Sequence, residues 1–318
     1  MVTLIIMDGF GLRKDSFGNA IKESGTPYLK KLMKKYPHTK LNASGEAVGL
    51  PVGQMGNSEV GHFTIGAGKV VYQDLMEINK DIESGEFGKR QTLINAMKYA
   101  EKSGRLHLMG LLSDGGVHSH INHLFALLEE SKKYDIKDVF IHAFLDGRDV
   151  PPDSAEKYLD MLNEKLTDRM HIASISGRIY AMDREQRYDR LQKAYDVLTT
   201  AKSVSKGYKQ VLTDSYSEGV YDEFVLPVLL DKNGVIKDGD SVIFFNYRTD
   251  RARELTYAFT DKNFDKFKTI KYEKLMFSPM EEYSKDFHNL NVIYPPHVIE
   301  NNLAKIISDN GMKQYHIS

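Results

Sequence analysis

The chain has 318 residues, 41% apolar and 27% charged, which is enough for two domains with separate cores and unlike a disordered or fibrous protein. It has no cysteine, which excludes disulfides, thiolate metal sites and cysteine nucleophiles. The net charge of −1 and the lack of a transmembrane run or a signal-peptide pattern predict a cytoplasmic protein with no nucleic-acid or membrane partner.

Short apolar runs followed by polar loops recur along the chain and predict the strands of an α/β fold. In chain order, the predicted strands cover residues 4–7, 108–112, 139–145, 172–175, 242–245 and 314–317. Uninterrupted apolar runs are typical of strands buried on both faces, so they favour a parallel sheet. Ligands of such sheets bind beyond the carboxyl ends of the strands, which is where these polar loops lie.

Apolar residues at helical spacing lie between the predicted strands. A helix is predicted after Pro151 and Pro152, with Asp153 and Glu156 as its capping box. The stripes that predict helices are Ile121, Leu124, Phe125 and Leu128; Tyr158, Met161 and Leu162; Leu191, Ala194, Tyr195 and Leu198; and Ile299, Leu303, Ile306 and Ile307, followed by Gly311.

Arginine is rare and unevenly distributed. Of the 12 arginines, eight fall into three segments after predicted strands, namely Arg148; Arg178, Arg184, Arg187 and Arg190; and Arg248, Arg251 and Arg253. Any one of them could form a surface ion pair. Because the guanidinium group can grip carboxylate or phosphate with two hydrogen bonds, their concentration in loops favours a small anionic ligand.

A glycine-rich segment surrounds Ser58. Gly53, Gly56 and Gly61 leave room for a phosphate or a metal near this serine, whose hydroxyl a divalent metal could activate. The alternative is a glycine-rich turn with a serine cap. Asp8, directly after the first predicted strand, is either a turn or cap residue or a ligand of a hard divalent metal.

Motifs along the whole chain resemble the cofactor-independent phosphoglycerate mutase family. They are Asp8-Gly9-Phe10-Gly11, Gly18-Asn19-Ala20, Gly56-Asn57-Ser58-Glu59-Val60-Gly61-His62, Val71-Tyr72-Gln73-Asp74, Ser113-Asp114-Gly115-Gly116-Val117-His118-Ser119-His120, Asp146-Gly147-Arg148-Asp149, Ser176-Gly177-Arg178, Met182-Asp183-Arg184 and Phe245-Asn246-Tyr247-Arg248-Thr249-Asp250-Arg251. Asp8 and Ser58 alone would indicate only the wider alkaline-phosphatase-like superfamily.

The resemblance implies an isomerase of glycolysis and gluconeogenesis that interconverts 3-phosphoglycerate and 2-phosphoglycerate without 2,3-bisphosphoglycerate. Ser58 would carry the phosphoryl group as phosphoserine, and Asp149 would exchange protons with the glycerate hydroxyls. Asp8 and Ser58 would be among the ligands of two divalent ions, usually manganese. The implied substrate pocket consists of His118, Arg148, Asp149, Arg178, Arg184, Arg248 and Arg251. The family resemblance also suggests a monomer.

The resemblance further implies a split domain arrangement. Residues 1–75 and 295–318 would form an alkaline-phosphatase-like, metal-binding parallel-sheet domain, and residues 76–294 an inserted α/β phosphotransferase domain. The family's other Asp and His metal ligands and a lysine would lie beyond the position matching Ser318, so the first domain is expected to be truncated, with an open sheet edge. Because each metal needs about four to six ligands, these 318 residues alone are expected to lack mutase activity.

Two other functions stay open. One is a metal-dependent phosphatase or another phosphomutase of the same superfamily, although a simple phosphatase need not clamp a second anionic group with arginines. The other is a non-catalytic remnant that binds phosphoglycerate.

The roles of several histidines and arginines are also open. His62 either supports the serine loop or contacts phosphate, and Arg187 and Arg190 either bind ligand or pair with Glu185 and Asp189. We expect the remaining histidines to be structural: His107, His142 and His171 packed or hydrogen-bonded within strands, and His120 and His123 at a solvated helix start.

Overall fold

A computed structural model describes residues 2–11, 13–201, 207–288, 290–296 and 299–317. The helices are α1 Ala20–Glu23, α2 Pro27–Lys35, α3 Ser58–Ala67, α4 Asp74–Ser84, α5 Gln91–Ser103, α6 Ile121–Ser131, α7 Ala155–Asn163, α8 Arg178–Ala181, α9 Tyr188–Thr199, α10 Tyr208–Ser217, α11 Arg253–Thr260 and α12 Leu303–Asp309. The strands are β1 Arg105–Leu112, β2 Asp138–Leu145, β3 Met170–Gly177, β4 Val228–Leu229, β5 Ser241–Phe244 and β6 Met276–Pro279. Within the described ranges, no helix is long and apolar enough to cross a membrane.

The chain divides into two compact units. The smaller unit comprises Met1–Met76 and Val298–Ser318, and the larger one is Glu77–His297. Helix α4 contains the first division point, and all six strands belong to the larger unit.

The larger unit is built on one six-stranded sheet in the order β4-β3-β2-β1-β5-β6. Every neighbouring pair is parallel except β3 and β4. From β1 the strand order runs through β2 and β3 on one side and through β5 and β6 on the other. Loops leaving the carboxyl ends of β1 and β5 therefore border a crevice of the kind in which α/β proteins bind ligands. The predicted α/β fold with a parallel sheet is confirmed, and four predicted strands correspond to β1, β2, β3 and β5.

Burial of the central strands explains their apolar sequences. Every residue of β1 and β2 is buried except the first of each. Helix α5 packs along β1, β5 and β6 through Leu93, Ala96, Met97 and Ala100, and α9 packs near β3 and β4. The predicted helices α6, α7 and α9 are confirmed, and the apolar stripe of α9 is buried.

Both edges of this sheet are short. The edge strand β4 has two residues and pairs antiparallel with Ser174 and Ile175 of β3. The opposite edge strand, β6, has four residues and ends at Pro279, which has no backbone N–H to donate.

A chain of hydrogen bonds between buried side chains crosses the sheet. Asp240 accepts from Nε2 of His107 at 2.9 Å, which leaves Nδ1 of His107 to accept from Nε2 of His142 at 3.0 Å. Nδ1 of His142 then accepts from the hydroxyl of Ser174 at 2.8 Å. Burial lowers the pKa of both histidines, so they stay neutral in this chain. The prediction that these two histidines are hydrogen-bonded within strands is confirmed.

The cap of α7 differs from the predicted capping box. The N-cap residue is Ser154, and its side chain makes no capping hydrogen bond. Instead, the backbone N–H groups of Ser154 and Ala155 donate to Oδ2 of Asp222 at 2.9 and 2.8 Å. The prediction of Asp153 as the cap is wrong because a buried carboxylate far along the chain takes its place.

The smaller unit has no strand among its described residues. The predicted strands at 4–7 and 314–317 are wrong, and their apolar side chains are exposed, as for Ile5 at 76% and Ile317 at 98%. A strand needs a neighbour that satisfies its backbone N–H and C=O groups, and no described segment of this unit provides one. The regular elements among the described residues of this unit are helices, and Val48, Leu50 and Val60 form a small buried apolar cluster.

We expect Asp222→Ala to lower the free energy of unfolding by about 2 kcal/mol, because two N–H groups at the start of α7 lose their acceptor. Asp153→Ala removes an exposed carboxylate beside the same helix and is the matched control, with a change within about 0.5 kcal/mol. Urea unfolding followed by circular dichroism measures both variants. Equal destabilisation by the two substitutions would contradict the assignment of Asp222 as the cap.

Candidate functional site

The loops after β1 and β5 are joined by backbone hydrogen bonds at the crevice in the strand order. The N–H groups of Tyr247 and Arg248 donate to the carbonyl of His118 at 2.9 and 3.2 Å. In the same region, the side-chain oxygen of Asn246 accepts from the N–H of Leu111 at 2.9 Å. These bonds fix the arginine-bearing loop after β5 against the histidine-bearing loop after β1.

Arg178 forms a buried ion-pair centre between the loops after β2 and β3. Its Nη1 lies 2.5 Å from Oδ1 of Asp146 and 2.6 Å from Oδ2 of Asp149, and its side chain is 1% exposed. Asp146 also accepts from the hydroxyl of Ser113 at 2.6 Å and from the N–H groups of Arg148 and Asp149 at 3.2 and 3.0 Å. One carboxylate thus fixes three loops, which makes Asp146 a structural residue.

Asp149 differs from Asp146 in its access to solvent. Its side chain is 17% exposed, against 1% for Asp146, and its Oδ2 lies 4.0 Å from Nε2 of His118. Of the two carboxylates that hold Arg178, only Asp149 is therefore open to a ligand.

Asp250 connects the arginines of two loops. Its Oδ2 accepts from Nη1 of Arg184 at 2.7 Å, and its Oδ1 lies 3.2 Å from Nε of Arg248. Burial alone would raise the pKa of Asp250, but the hydrogen bond from Arg184 and the charge of Arg248 bring that pKa below its ordinary value. The carboxylate stays ionised and offsets the repulsion between the two guanidinium groups.

His118 lies between the two carboxylates Asp149 and Asp250 and yet is neutral. Burial and the charge of Arg178 lower the pKa of His118 to about 4. Its Nδ1 is 3.6 Å from Oδ1 of Asp250, and neither atom has a hydrogen-bond partner in the described structure. Both atoms are buried, so the hydrogen-bonding capacity on this side of the ring is unsatisfied in the described structure.

The last two predicted pocket arginines differ in position. Nη1 of Arg251 donates to the carbonyl of Met182 at 3.1 Å, and the charges of Arg178, Arg184 and Arg148 help burial to lower the pKa of Arg251. Arg148 is exposed and its Nη1 lies 3.3 Å from Oε1 of Glu223. The structure therefore brings six of the seven predicted pocket residues into one cluster, and Arg148 lies at its rim, paired with Glu223.

The segment around Glu223 also explains two glycines of the motifs. A Cβ on Gly177 would lie 2.4 Å from the carbonyl oxygen of Glu223. Gly147 has φ +65°, and a Cβ there would lie 2.8 Å from Cβ of Asp222. Close backbone packing against this segment requires glycine at both positions.

In the smaller unit, Ser58 begins helix α3 and contacts Asp8. Its hydroxyl donates to Oδ2 of Asp8 at 2.7 Å, so the two predicted metal ligands do lie together. The side chain of Asn57 caps α3 by accepting from the N–H of Val60 at 3.1 Å. The N-terminus of a ten-residue helix favours negative charge near Ser58.

His62 supports this helix turn. Its Nδ1 donates to the carbonyl of Ser58 at 2.8 Å and lies 3.3 Å from the hydroxyl oxygen. Gly56 is required by the backbone, since a Cβ there would lie 1.8 Å from the carbonyl oxygen of Ala43. Gly53 has φ +82°, which favours glycine, while a Cβ at Gly53 or at Gly61 would meet no atom within 4 Å. Backbone conformation therefore explains Gly53, close packing explains Gly56, and neither explains Gly61.

The described residues bring no three His, Cys, Asp or Glu side chains into a group able to hold a metal ion. Asp8 and Ser58 offer oxygen donors, which suit a hard divalent cation. Two donors do not complete the ligand set of such an ion.

Comparison with known proteins matches these features to one family. The family model described as BPG-independent PGAM N-terminus covers residues 78–285. A 2,3-bisphosphoglycerate-independent phosphoglycerate mutase of Clostridium beijerinckii is 48% identical over 325 aligned positions, which span all of this chain and 63% of that relative. The chain belongs to the cofactor-independent phosphoglycerate mutase family.

Other relatives agree on the family and on the extent of the match. The enzyme of the same name from Acetivibrio thermocellus is 45% identical across the whole chain and 64% of its own length. A crystal structure of Leishmania mexicana phosphoglycerate mutase at low cobalt concentration is similar with a TM-score of 0.70 and 32% identity, covering 90% of this chain and 56% of that one. This chain thus spans less than two thirds of the length of the family members it matches.

Of the carboxylates in this cluster, the sequence predicted Asp149 but not Asp146 or Asp250. Both lie in the same motifs as the arginines, two residues from Arg148 and next to Arg251, and that proximity was the available signal. Glu223, which pairs with Arg148, has no such signal, because it lies far along the chain.

Among the remaining histidines and arginines, His120, His123 and Arg187 have structural partners. The prediction for His123 is wrong: it is fully buried, and its Nε2 bonds Oδ1 of Asn79 at 2.8 Å, while His120 caps α6 by accepting from Asn122. Arg187 pairs with Glu185 at 3.1 Å, as the structural alternative expected.

We expect the His118 imidazole to stay neutral from pH 8 to pH 5 and to titrate near pH 4. A histidine in the unfolded chain protonates near pH 6.5, so this group removes stability as the pH falls from 6.5 to 4 and adds nothing above that range. The measurement is an NMR titration of the ring resonances, assigned with His118→Gln. A midpoint above pH 6 would contradict the account of burial beside Arg178.

Proposed function

We propose that the larger unit binds phosphoglycerate through the cluster of His118, Asp149, Arg178, Arg184, Arg248 and Arg251, with Arg148 joining from the rim. The observation that supports this most is the convergence of these arginines on one crevice at the carboxyl ends of the strands. Phosphoglycerate carries a carboxylate and a phosphate, and planar guanidinium groups bind both with paired hydrogen bonds. A three-carbon acid with two anionic ends suits a site with arginines on loops from both sides of the crevice.

We propose that the exposed guanidinium groups of Arg184 and Arg248 take the phosphate or carboxylate. Among the described residues, Asp250 is the only ion-pair partner of either arginine, and both are about half exposed, so they keep donors for a ligand. Arg178 is buried with both of its ion-pair partners, and its contribution is to orient Asp149 and to set the local positive charge. Arg184 and Arg248 would then bind the substrate, which would lie over the buried Arg178.

Asp149 is the proposed proton carrier for the glycerate hydroxyls. It has the exposure that Asp146 lacks, and Arg178 holds its orientation. Neutral His118 lies 4.0 Å from it and would hydrogen-bond a hydroxyl of the substrate. Removal of a proton from one hydroxyl and its return to the other are general acid–base steps that a carboxyl group performs.

Ser58 is the proposed phosphoryl carrier of the full reaction. Its hydroxyl oxygen would attack the phosphorus of 3-phosphoglycerate, giving phosphoserine and glycerate, and the phosphoryl group would return to the 2-hydroxyl to give 2-phosphoglycerate. The helix N-terminus at Ser58 favours the added negative charge. The family name indicates that 2,3-bisphosphoglycerate is not required.

Divalent metal ions belong to this proposal, with manganese as the proposed identity. Such ions would lower the pKa of the serine hydroxyl and neutralise phosphate charge. Asp8 and Ser58 are the proposed ligands in this chain, but they do not make a complete site within the described residues. The role of Asp8 that the structure does show is to accept the hydrogen bond of Ser58.

A metal-dependent phosphatase or another phosphomutase is the alternative within the superfamily, and phosphoglycerate binding without catalysis is a second one. The six polar residues cluster in the larger unit, whereas Ser58 belongs to the smaller one. Such a cluster favours a mutase over a simple phosphatase, because hydrolysis of a phosphate ester does not require retention of the alcohol product. Binding and catalysis are separated by the next two experiments.

We expect calorimetry without metal to detect binding of 3-phosphoglycerate to this chain and Arg248→Ala to abolish it. The guanidinium group of Arg248 is about half exposed and, within the described part of the chain, pairs with Asp250 alone. Arg187→Ala is the matched control, since it removes an exposed arginine that pairs with Glu185. Retained binding in Arg248→Ala would reject the proposed pocket.

We expect the 318-residue chain by itself to show no manganese-dependent interconversion of 3- and 2-phosphoglycerate, because Asp8 and Ser58 supply too few metal ligands. A coupled enolase assay detects 2-phosphoglycerate formation, with a full-length relative as the positive control. Turnover that disappears in Ser58→Ala would show that the described donors suffice.

A further inference from the structure

The loop between α8 and α9 carries Arg184 and is held by two carboxyl groups. Oδ1 of Asp183, which is buried, accepts from the N–H groups of Glu185 and Arg187, both at 2.9 Å. Oε1 of Glu254 accepts from the N–H of Gln186 at 3.1 Å. Three consecutive N–H groups of the loop therefore point at carboxyl oxygens.

The loop needs this support because its backbone is strained. Gln186 has φ +59°, a left-handed conformation that a residue with a Cβ adopts at an energetic cost. Glu254, whose carboxyl oxygen accepts from the N–H of Gln186, lies in the first turn of α11. That helix follows directly after the loop of Arg248 and Arg251, so Glu254 connects the Arg184 loop to the other arginine segment.

Asp183 and Glu254 accept from consecutive N–H groups of one loop, which brings their carboxyl groups close together. Oε2 of Glu254 is buried and has no hydrogen-bond partner among the described residues, and two neighbouring ionised carboxylates would repel each other. One proton between them removes the repulsion and gives the buried oxygen a hydrogen bond. Burial and the neighbouring charge of Asp183 raise the pKa of Glu254 to about 7, although the N–H of Gln186 acts in the opposite direction.

The other charged and titratable groups near Glu254 do not supply a counter-charge. It borders an open cavity of about 290 Å³ whose titratable lining also includes Tyr188 of α9, Tyr257 of α11, and Asp261, Asp265 and Lys266 after α11. Lys266 is the only cation among these lining residues, and its Nζ lies 2.8 Å from Asp265. The cavity lets protons exchange with solvent.

We propose that Asp183 and Glu254 share a proton that fastens the Arg184 loop to helix α11, and that loss of this proton loosens the loop and weakens the grip on the anionic ligand. Glu254 is then a positioning residue, since it acts through Arg184. This inference rests on the proposed function, in which Arg184 binds phosphoglycerate. The proton leaves to solvent, and two carboxylates remain in place of one carboxylate and one acid.

The direction of the pH dependence follows from the ionisation of Glu254 in the open and closed states of the loop. When the loop is open and solvated, Glu254 ionises near the ordinary value of 4.5, whereas the closed loop retains the proton to about pH 7. The closed loop therefore loses stability as the pH rises from about 4.5 to about 7, and the loss is complete above that range. Ligand affinity falls over the same range.

The experiment compares the wild type with Glu254→Gln and with Glu185→Gln as the matched control. Glutamine keeps the acceptor for Gln186 and a donor for Asp183 but cannot ionise. Glu185→Gln removes the same charge from an exposed position of the same loop. Affinity for 3-phosphoglycerate is measured by calorimetry at pH 5.5 and pH 8, and the ionisation of the ligand itself cancels when variants are compared at one pH.

We expect the ratio of Kd at pH 8 to Kd at pH 5.5 to be at least about threefold smaller in Glu254→Gln than in the wild type and in Glu185→Gln. Independently of ligand, the ¹³C carboxyl resonance of Glu254 should titrate near pH 7, with the amide shifts of Glu185, Gln186 and Arg187 following it. An unchanged Kd ratio in Glu254→Gln, or a carboxyl group that is ionised throughout this range, overturns the proposal.

Failure of the proposed function gives a different result. If the wild type binds no 3-phosphoglycerate at either pH, the proposed ligand is wrong. The proposed coupling between the shared proton and ligand affinity is then rejected as well. The carboxyl titration and the amide shifts need no ligand, so in that case they still confirm or reject the shared proton.

Discussion

The ion pair of Arg178 with Asp146 and Asp149 is the interaction on which the larger unit's site depends. A guanidinium group that is almost fully buried is tolerated only when carboxylates compensate its charge, because removal of one partner leaves an unpaired buried charge. These two carboxylates belong to the loop after β2, while Arg178 begins the helix after β3. Electrostatics therefore helps to fix the relative position of these two loops.

The charges of the arginines around this ion pair are also partly compensated. Arg184, Arg248 and Arg251 would repel one another in an empty crevice, and Asp250 offsets part of that repulsion. Arg178 also explains why His118 stays neutral with two carboxylates nearby, since its positive charge adds to the effect of burial. The site thus holds arginines in place before an anion arrives, which reduces the reorganisation that binding requires.

The sequence predicted the central sheet well because its strands are buried on both faces and so read as unbroken apolar runs. It predicted the arginine pocket through motifs that follow those strands. The errors have a common physical origin in long-range partners: Asp222 caps α7 from a distant segment, and Glu223 pairs with Arg148. The apolar run at 4–7 looks like β1 in composition, but composition does not supply the neighbouring strand that hydrogen bonding needs. The proposed Asp183–Glu254 pairing is also invisible in sequence, since Glu254 lies outside every motif and far along the chain from Asp183.

The short edge strands of the sheet have a consequence for how this protein behaves among copies of itself. A two-residue strand on one side and a four-residue strand ending in proline on the other expose very few free N–H and C=O groups along the sheet margins. A strand from a neighbouring molecule would find almost no template to extend. The short margins of the sheet therefore protect the larger unit against sheet-to-sheet polymerisation between copies of itself.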